Sequence, residues 1–241
     1  MRLAEHWTST GDALFRRRSW LPLLLLPLFL ASFVGDRYPV SHTAGLIWEI
    51  GCFVITLVGI ALRVFTTGTS PRGTSGRNTR TQKATALNTT GPYSIVRHPL
   101  YLANFLIALG LSLFSRTWFL PIIVALATLL YYERIAAREE EFLDGRFGPA
   151  FRRWAEAVPA AVPSLKAWCP PAKSFDWRRA LDREFYVISE VAVAFLVLDI
   201  MEDYAAHGHL ELDPVWTTVA VFGTLLFVVM WTRKKLRRRP R

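Results

Sequence analysis

What most constrains this chain is that its apolar residues fall in blocks of bilayer length. A helix crosses the hydrocarbon core in roughly 20 mostly apolar residues, and lipid offers its backbone polar groups no partner outside the helix itself. Such blocks run over residues 20–34, 42–65, 99–114, 118–132, 186–201 and 214–231. The first contains Pro22 and Pro27, which predicts a kinked helix completed toward Tyr38. Only Ser115, Arg116 and Thr117 separate the third from the fourth, which predicts a tight antiparallel hairpin. The pattern predicts an all-α, polytopic membrane protein of about six transmembrane helices, forming one integral membrane domain over residues 1–241. A composition 52% hydrophobic and 20% charged is too apolar for an ordinary soluble domain.

The charges order the same blocks. Short loops rich in Lys and Arg stay on the cytoplasmic side. Alternating the blocks puts Arg16, Arg17 and Arg18, the 66–98 loop, the 134–183 segment and the 233–241 tail on that side, and leaves only Arg37 and Arg116 opposite. The loop 201–213 holds Glu202, Asp203, Glu211 and Asp213 without a Lys or Arg. Both termini are therefore expected in the cytoplasm, with the protein in an inner membrane of bacterial type. The net charge of +10 is read as topology plus attraction to anionic membrane lipids, not as nucleic-acid binding. The basic residues before the first block also fit a secretory signal, but no small-x-small cleavage pattern follows them. Cys52 and Cys169 predict neither a disulfide nor a metal site.

Polar residues concentrate in two of the expected cytoplasmic stretches. The first, 66–98, is punctuated by Gly and Pro and ends in Gly91-Pro92-Tyr93 and Arg97-His98-Pro99, with Tyr101 in the first turn of the next helix. The second follows the fourth block: Tyr131, Tyr132, Glu133, Arg134, then Arg138, Glu139, Glu140, Glu141 and on to Phe147-Gly148. Phe142, Leu143, Phe147, Phe151 and Trp154 are spaced for one helical face, so the fourth helix is expected to continue into the cytoplasm and fold along the membrane surface. A plain reading makes Arg97 a topological anchor, His98 a helix cap, Tyr101 an interfacial aromatic and the glutamates a solvated face. Against it stands chain order, because the hairpin carries both clusters to one membrane boundary.

These residues also carry a resemblance. Gly91-Pro92-Tyr93, Val96-Arg97-His98-Pro99-Leu100-Tyr101, the apolar hairpin, Glu133-Arg134, Glu139-Glu140, Leu143, Phe147-Gly148, Val158-Pro159 and Pro163 together resemble the isoprenylcysteine carboxyl methyltransferase and phospholipid methyltransferase superfamily. The resemblance implies a family-like core over about 42–165, with an additional helical pair at 186–232. It implies S-adenosyl-L-methionine as cofactor, bound in a pocket formed by cytoplasmic loops at the helix ends, and a lipid substrate arriving from the bilayer. The absence of a GxGxxG loop agrees with a non-Rossmann pocket. Carried over by residue, Tyr93, Val96, Arg97, His98, Pro99, Tyr101, Glu139 and Glu140 would bind the cofactor, with Arg97, His98 and Glu140 central to catalysis.

The acceptor is read more coarsely. Phe151 and Trp154 stand where relatives usually have Tyr, and Ala157 stands where many carboxyl methyltransferases have Arg, which weakens an isoprenylcysteine acceptor. Arg72, Arg77, Arg80 and Lys83, among Ser, Thr, Asn and Gly, suit phosphate contacts and tilt the reading toward a phospholipid headgroup or lipid A-type phosphate. A carboxyl methyltransferase, an NADPH-dependent membrane reductase and a non-catalytic protein on the same scaffold are the alternatives. Glu49, Arg63, Glu190 and Asp199 fall inside apolar blocks, which marks them for attention; Arg63 is near enough to the end of its block to snorkel.

Overall fold

The computed structural model describes residues 24–33, 42–71 and 84–237. Its α-helices are α1 (Leu26–Ser32), α2 (His42–Thr69), α3 (Pro99–Phe114), α4 (Phe119–Phe147), α5 (Pro149–Ala157), α6 (Trp177–His207) and α7 (Pro214–Arg237). No strand occurs among the described residues, so the expected all-α class holds. Residues 20–23 and 34 of the first apolar block, Arg37 and the four phosphate candidates Arg72, Arg77, Arg80 and Lys83 lie outside the described residues.

Three helices, α2, α4 and α7, are long and apolar enough to cross a membrane; α3 is apolar but only 16 residues long. The 31-residue α6 has the length, but Glu184, Glu190 and Asp199 interrupt its apolar sequence. The expected count of about six is therefore not reached on length and composition among the described residues. The outward faces support a lipid environment: Ile47, Val58, Leu126, Phe222 and Leu225 are each more than half exposed, a pattern suited to hydrocarbon rather than water.

The tightest pairing is α2 against α3. A Cβ added at Gly110 would lie 2.1 Å from the Thr56 hydroxyl and 2.6 Å from the Cys52 carbonyl, so only glycine lets the two backbones approach this closely. α6 and α7 form the second pair, where the Ser189 hydroxyl donates to the Gly223 carbonyl at 2.8 Å. The two pairs meet in an aromatic core: the Phe195 ring stacks on Trp216 at 4.9 Å and takes Phe114 and Phe53 edge-on at 5.5 and 5.1 Å.

Two of the charged residues inside the apolar blocks, Glu49 and Arg63, are met by opposite charges from other parts of the bundle. Glu49 and Glu202 lie 2.7 and 3.0 Å from the Arg116 guanidinium, at the end of the bundle that carries the acidic 201–213 loop. Arg116 takes a left-handed backbone, φ 56°, in the tight connection between α3 and α4. Near the other end Arg63 does not snorkel outward. Its Nε donates to Glu184 at 2.7 Å, its Nη1 donates to Asn104, and Thr67 donates to the second Glu184 oxygen at 2.9 Å. This buried network ties α2 and α3 to α6, and its acid was not among the residues the sequence singled out.

Candidate functional site

The loop before α3 is shaped by its turn residues. Gly91 adopts φ +63°, a conformation open to glycine, and the 3-10 turn Gly91–Ser94 follows. The segment 158–172 then straps this loop down through backbone bonds: Arg97 N to the Pro159 carbonyl at 2.9 Å, Ser164 N to Ile95 at 2.9 Å, and Gly91 N to Cys169 at 2.8 Å. Trp154 donates its indole N–H to the Tyr93 carbonyl at 3.1 Å. The ring is thus part of the strap, a role the sequence pattern did not expose.

α4 runs unbroken for 29 residues, well past its apolar block, as the sequence led one to expect. Its extension brings Tyr132, Glu139 and Glu140 beside the start of α3. Glu140 bridges two neighbours: Arg97 Nη1 donates to Oε2 at 2.8 Å and His98 Nε2 lies 2.8 Å from Oε1. His98 Nδ1 lies 3.9 Å from Glu139 Oε2. The side chains of Arg97, His98 and Glu140 are 19%, 10% and 24% exposed, so the cluster is shielded without being sealed. His98 does occupy the N-cap position of α3, yet its ring makes no cap hydrogen bond; it is committed to the glutamates instead. Charge-assisted bonds of this length are the stronger kind, and they fix both α3-side residues to α4.

An aromatic column stands beside the charges. The His98 ring stacks on Tyr101 at 5.4 Å, and Tyr101 stacks on Tyr132 at 4.5 Å with planes 12° apart. Tyr93 shares side-chain hydrogen bonds with Asn88 and Ser70, and burial, with Glu139 second, pushes its hydroxyl up to about 12. It therefore stays neutral across the physiological range. Val96 is 1% exposed and Pro99 is fully buried, so these two shape the floor rather than offer polar groups.

The three glutamates are sorted by the helix. Glu140 is inward and doubly engaged, Glu139 faces the edge of the cluster at 31% exposure, and Glu141 points out at 54% to pair with Arg138. The Arg97 Nε is buried and without a hydrogen-bond partner among the described residues, an unsatisfied donor of the kind an anionic or carbonyl group satisfies. For a cofactor bearing an amino acid carboxylate, an ammonium, a sulfonium and a purine, the donor set fits: Arg97 Nε for the carboxylate, Glu139 for the ammonium, and the tyrosines for the purine face or the sulfonium charge. Among the described residues no group of three or more His, Cys, Asp or Glu side chains is placed to hold a metal ion.

Comparison with known proteins falls on the same region. Residues 49–150 match the family model described as phospholipid methyltransferase. The chain is 42% identical over 84 residues to the nickel-cobalt-cadmium resistance protein NccN of Alcaligenes xylosoxydans xylosoxydans, covering 35% of this chain and 39% of that one. It is 35% identical over 120 residues to the cobalt-zinc-cadmium resistance protein CzcN of Cupriavidus metallidurans, covering 47% and 55% respectively. Over 79 residues, 33% of this chain and 34% of the other, it is 28% identical to the protein-S-isoprenylcysteine O-methyltransferase of Schizosaccharomyces pombe. The chain thus spans about half or less of the length of these relatives. No solved structure matches it.

Proposed function

We infer that this chain, whose residues 49–150 match the phospholipid methyltransferase family model and whose helices include three able to cross a membrane, transfers the methyl group of S-adenosyl-L-methionine to a lipid-type acceptor. The observation that carries the reading is the Arg97–Glu140–His98 cluster with its Tyr101–Tyr132 column, built where the hairpin ends meet.

The bound cofactor supplies an activated methyl on a sulfonium, transferred by in-line displacement. The chain's contribution is alignment and exclusion of water. Glu140 acts as a positioning residue, since both its oxygens are engaged by Arg97 and His98. Arg97 then offers its remaining donor to a carboxylate, and Glu139 offers the accessible acid. The aromatic faces tolerate a cation that loses its charge as the methyl moves. His98, held by Glu140, is the group placed to take a proton from an acceptor, in the tautomer its carboxylate partner selects. A boundary site serves a water-soluble donor from one side and a lipid from the bilayer plane on the other. We place it on the cytoplasmic side of a bacterial inner membrane, following the asymmetry of basic loops.

A phospholipid headgroup or lipid phosphate is the acceptor class favoured over a carboxyl group, because Ala157 stands where the resemblance to carboxyl methyltransferases implies an Arg suited to a carboxylate. The two relatives named for metal resistance make lipid methylation under metal stress the physiological setting to examine.

Detergent-purified protein titrated with S-adenosyl-L-methionine and, separately, with NADPH tests this, reading thermal stabilisation in proportion to affinity. Saturable binding of the sulfonium cofactor, followed by transfer of labelled methyl into a bacterial lipid extract, is expected. Binding of NADPH alone, or of neither, overturns the reading.

A further inference from the structure

Outside the family match, the start of α6 and the end of α7 border an open cavity of about 740 Å³ lined by Asp176, Arg178, Arg179, Asp182, Arg183 and Arg237. Four guanidiniums face two carboxylates, and both carboxylates already serve the wall. Asp176 accepts from the Arg179 backbone N–H at 3.0 Å as the cap of α6. Asp182 pairs with Arg237 at 3.4 Å in an exposed contact, of the kind that solvent leaves weak. Arg179 is held in place by the carbonyls of Ser70 and Pro71, the second at 2.9 Å. Those bonds orient the guanidinium.

The cavity is therefore net cationic and lined by Arg, whose planar fork meets two phosphate oxygens at once. Its position adds the second constraint. Trp177 and Trp231, 67% and 45% exposed, stand at these same ends of α6 and α7, and exposed Trp settles at the headgroup level of a bilayer. Lys234 lies alongside, its ammonium 5.0 Å from the Tyr186 ring centre. A cationic cavity at that depth meets phosphates that are attached to lipids.

The geometry points to this cavity as a binding site for the phosphate of an anionic phospholipid headgroup, with Arg178 and Arg183 as its ligands and Arg179 as a fixed wall charge. Arg183 also acts electrostatically on the Tyr93 hydroxyl of the candidate site, so the cavity borders that site, but the proposal does not rest on the methyl-transfer reading, because binding is measured directly.

The full chain in detergent is titrated with short-chain phosphatidylglycerol, with phosphatidylcholine of the same chain length and with inorganic phosphate, following thermal stabilisation. Phosphatidylglycerol is expected to stabilise saturably and phosphatidylcholine much less. The Arg178→Gln/Arg183→Gln variant should weaken the phosphatidylglycerol response about tenfold. Arg178→Gln alone alters only an exposed side chain, so it should fold and show part of that loss. Arg146→Gln, an exposed basic residue elsewhere, should show none. Inorganic phosphate acting as strongly as the lipid, and losing its effect in the double variant, would keep the phosphate site but overturn the lipid as its source. Equal responses to the two lipids, or an unchanged response in the double variant, would overturn the site.

Discussion

Replacing Glu140 by Gln keeps the side chain's shape while turning one of its two acceptors into a donor. In the wild type each oxygen holds a contact of 2.8 Å, to Arg97 and to His98. The amide can still accept from Arg97; its NH2 then faces His98 Nε2, which must shift its proton to Nδ1 to accept, so the charge-assisted bonds and the selected tautomer are both lost. Hydrogen bonds to charged groups contribute about 1.5–3 kcal/mol each. With Glu140 only 24% exposed, solvent does little to replace the lost contact, and about 2–3 kcal/mol is a fair expectation for the rearrangement. If Arg97 and His98 order the cofactor pocket, that cost appears as a 30- to 150-fold rise in the S-adenosyl-L-methionine Kd, at about 1.4 kcal/mol per decade. Calorimetric titration of purified protein measures it, with circular dichroism confirming retained helix. Glu141→Gln is the matched control, one residue along the same helix. Its carboxylate is 54% exposed and pairs with Arg138, so the change should stay within about 0.5 kcal/mol. An unchanged Kd for Glu140→Gln, or an equal loss for Glu141→Gln, would refute the reasoning.

Tyr93 should ionise near 12 rather than at its ordinary 10.0, which the tyrosinate absorbance missing from Tyr93→Phe would reveal. Because the folded value is raised, its contribution to stability is complete below pH about 10 and disappears as pH climbs toward 12, so Tyr93→Phe should flatten that alkaline limb. Gly110→Ala forces a Cβ to within 2.1 Å of the Thr56 hydroxyl and should cost about 1–3 kcal/mol in thermal or denaturant unfolding; Gly51→Ala, whose Cβ meets nothing, should be neutral or stabilising. Arg116→Ala leaves Glu49 and Glu202 facing each other, 17% and 13% exposed, and should cost about 3 kcal/mol. A melting temperature unchanged from wild type would show that solvent already screens that pair.

Much of the helix arrangement was readable before any fold was known. The block 99–114 returns as α3 with the same bounds, and the extension of α4 past Tyr132 follows from the amphipathic spacing of its continuation. Transmembrane apolarity and helical periodicity are local properties, set by the cost of placing backbone and charge in hydrocarbon, so a linear chain displays them. The number of crossings was less legible. α6 carries Glu184, Glu190 and Asp199, and a charge count along one helix does not register the partner that Arg63 supplies to Glu184 from α2.

The sequence by itself determined the helical class, the clustering of basic loops and the pair of polar segments at the hairpin ends, because these depend on composition and near-neighbour spacing. Tertiary structure alone decided which of three consecutive glutamates turns inward, that Trp154 straps the loop by its indole N–H, and that Glu49 answers Arg116 across 67 residues. The reason is physical. A carboxylate's role depends on which donors packing brings within about 3 Å of it and how much water packing removes, and neither quantity exists until distant helices meet.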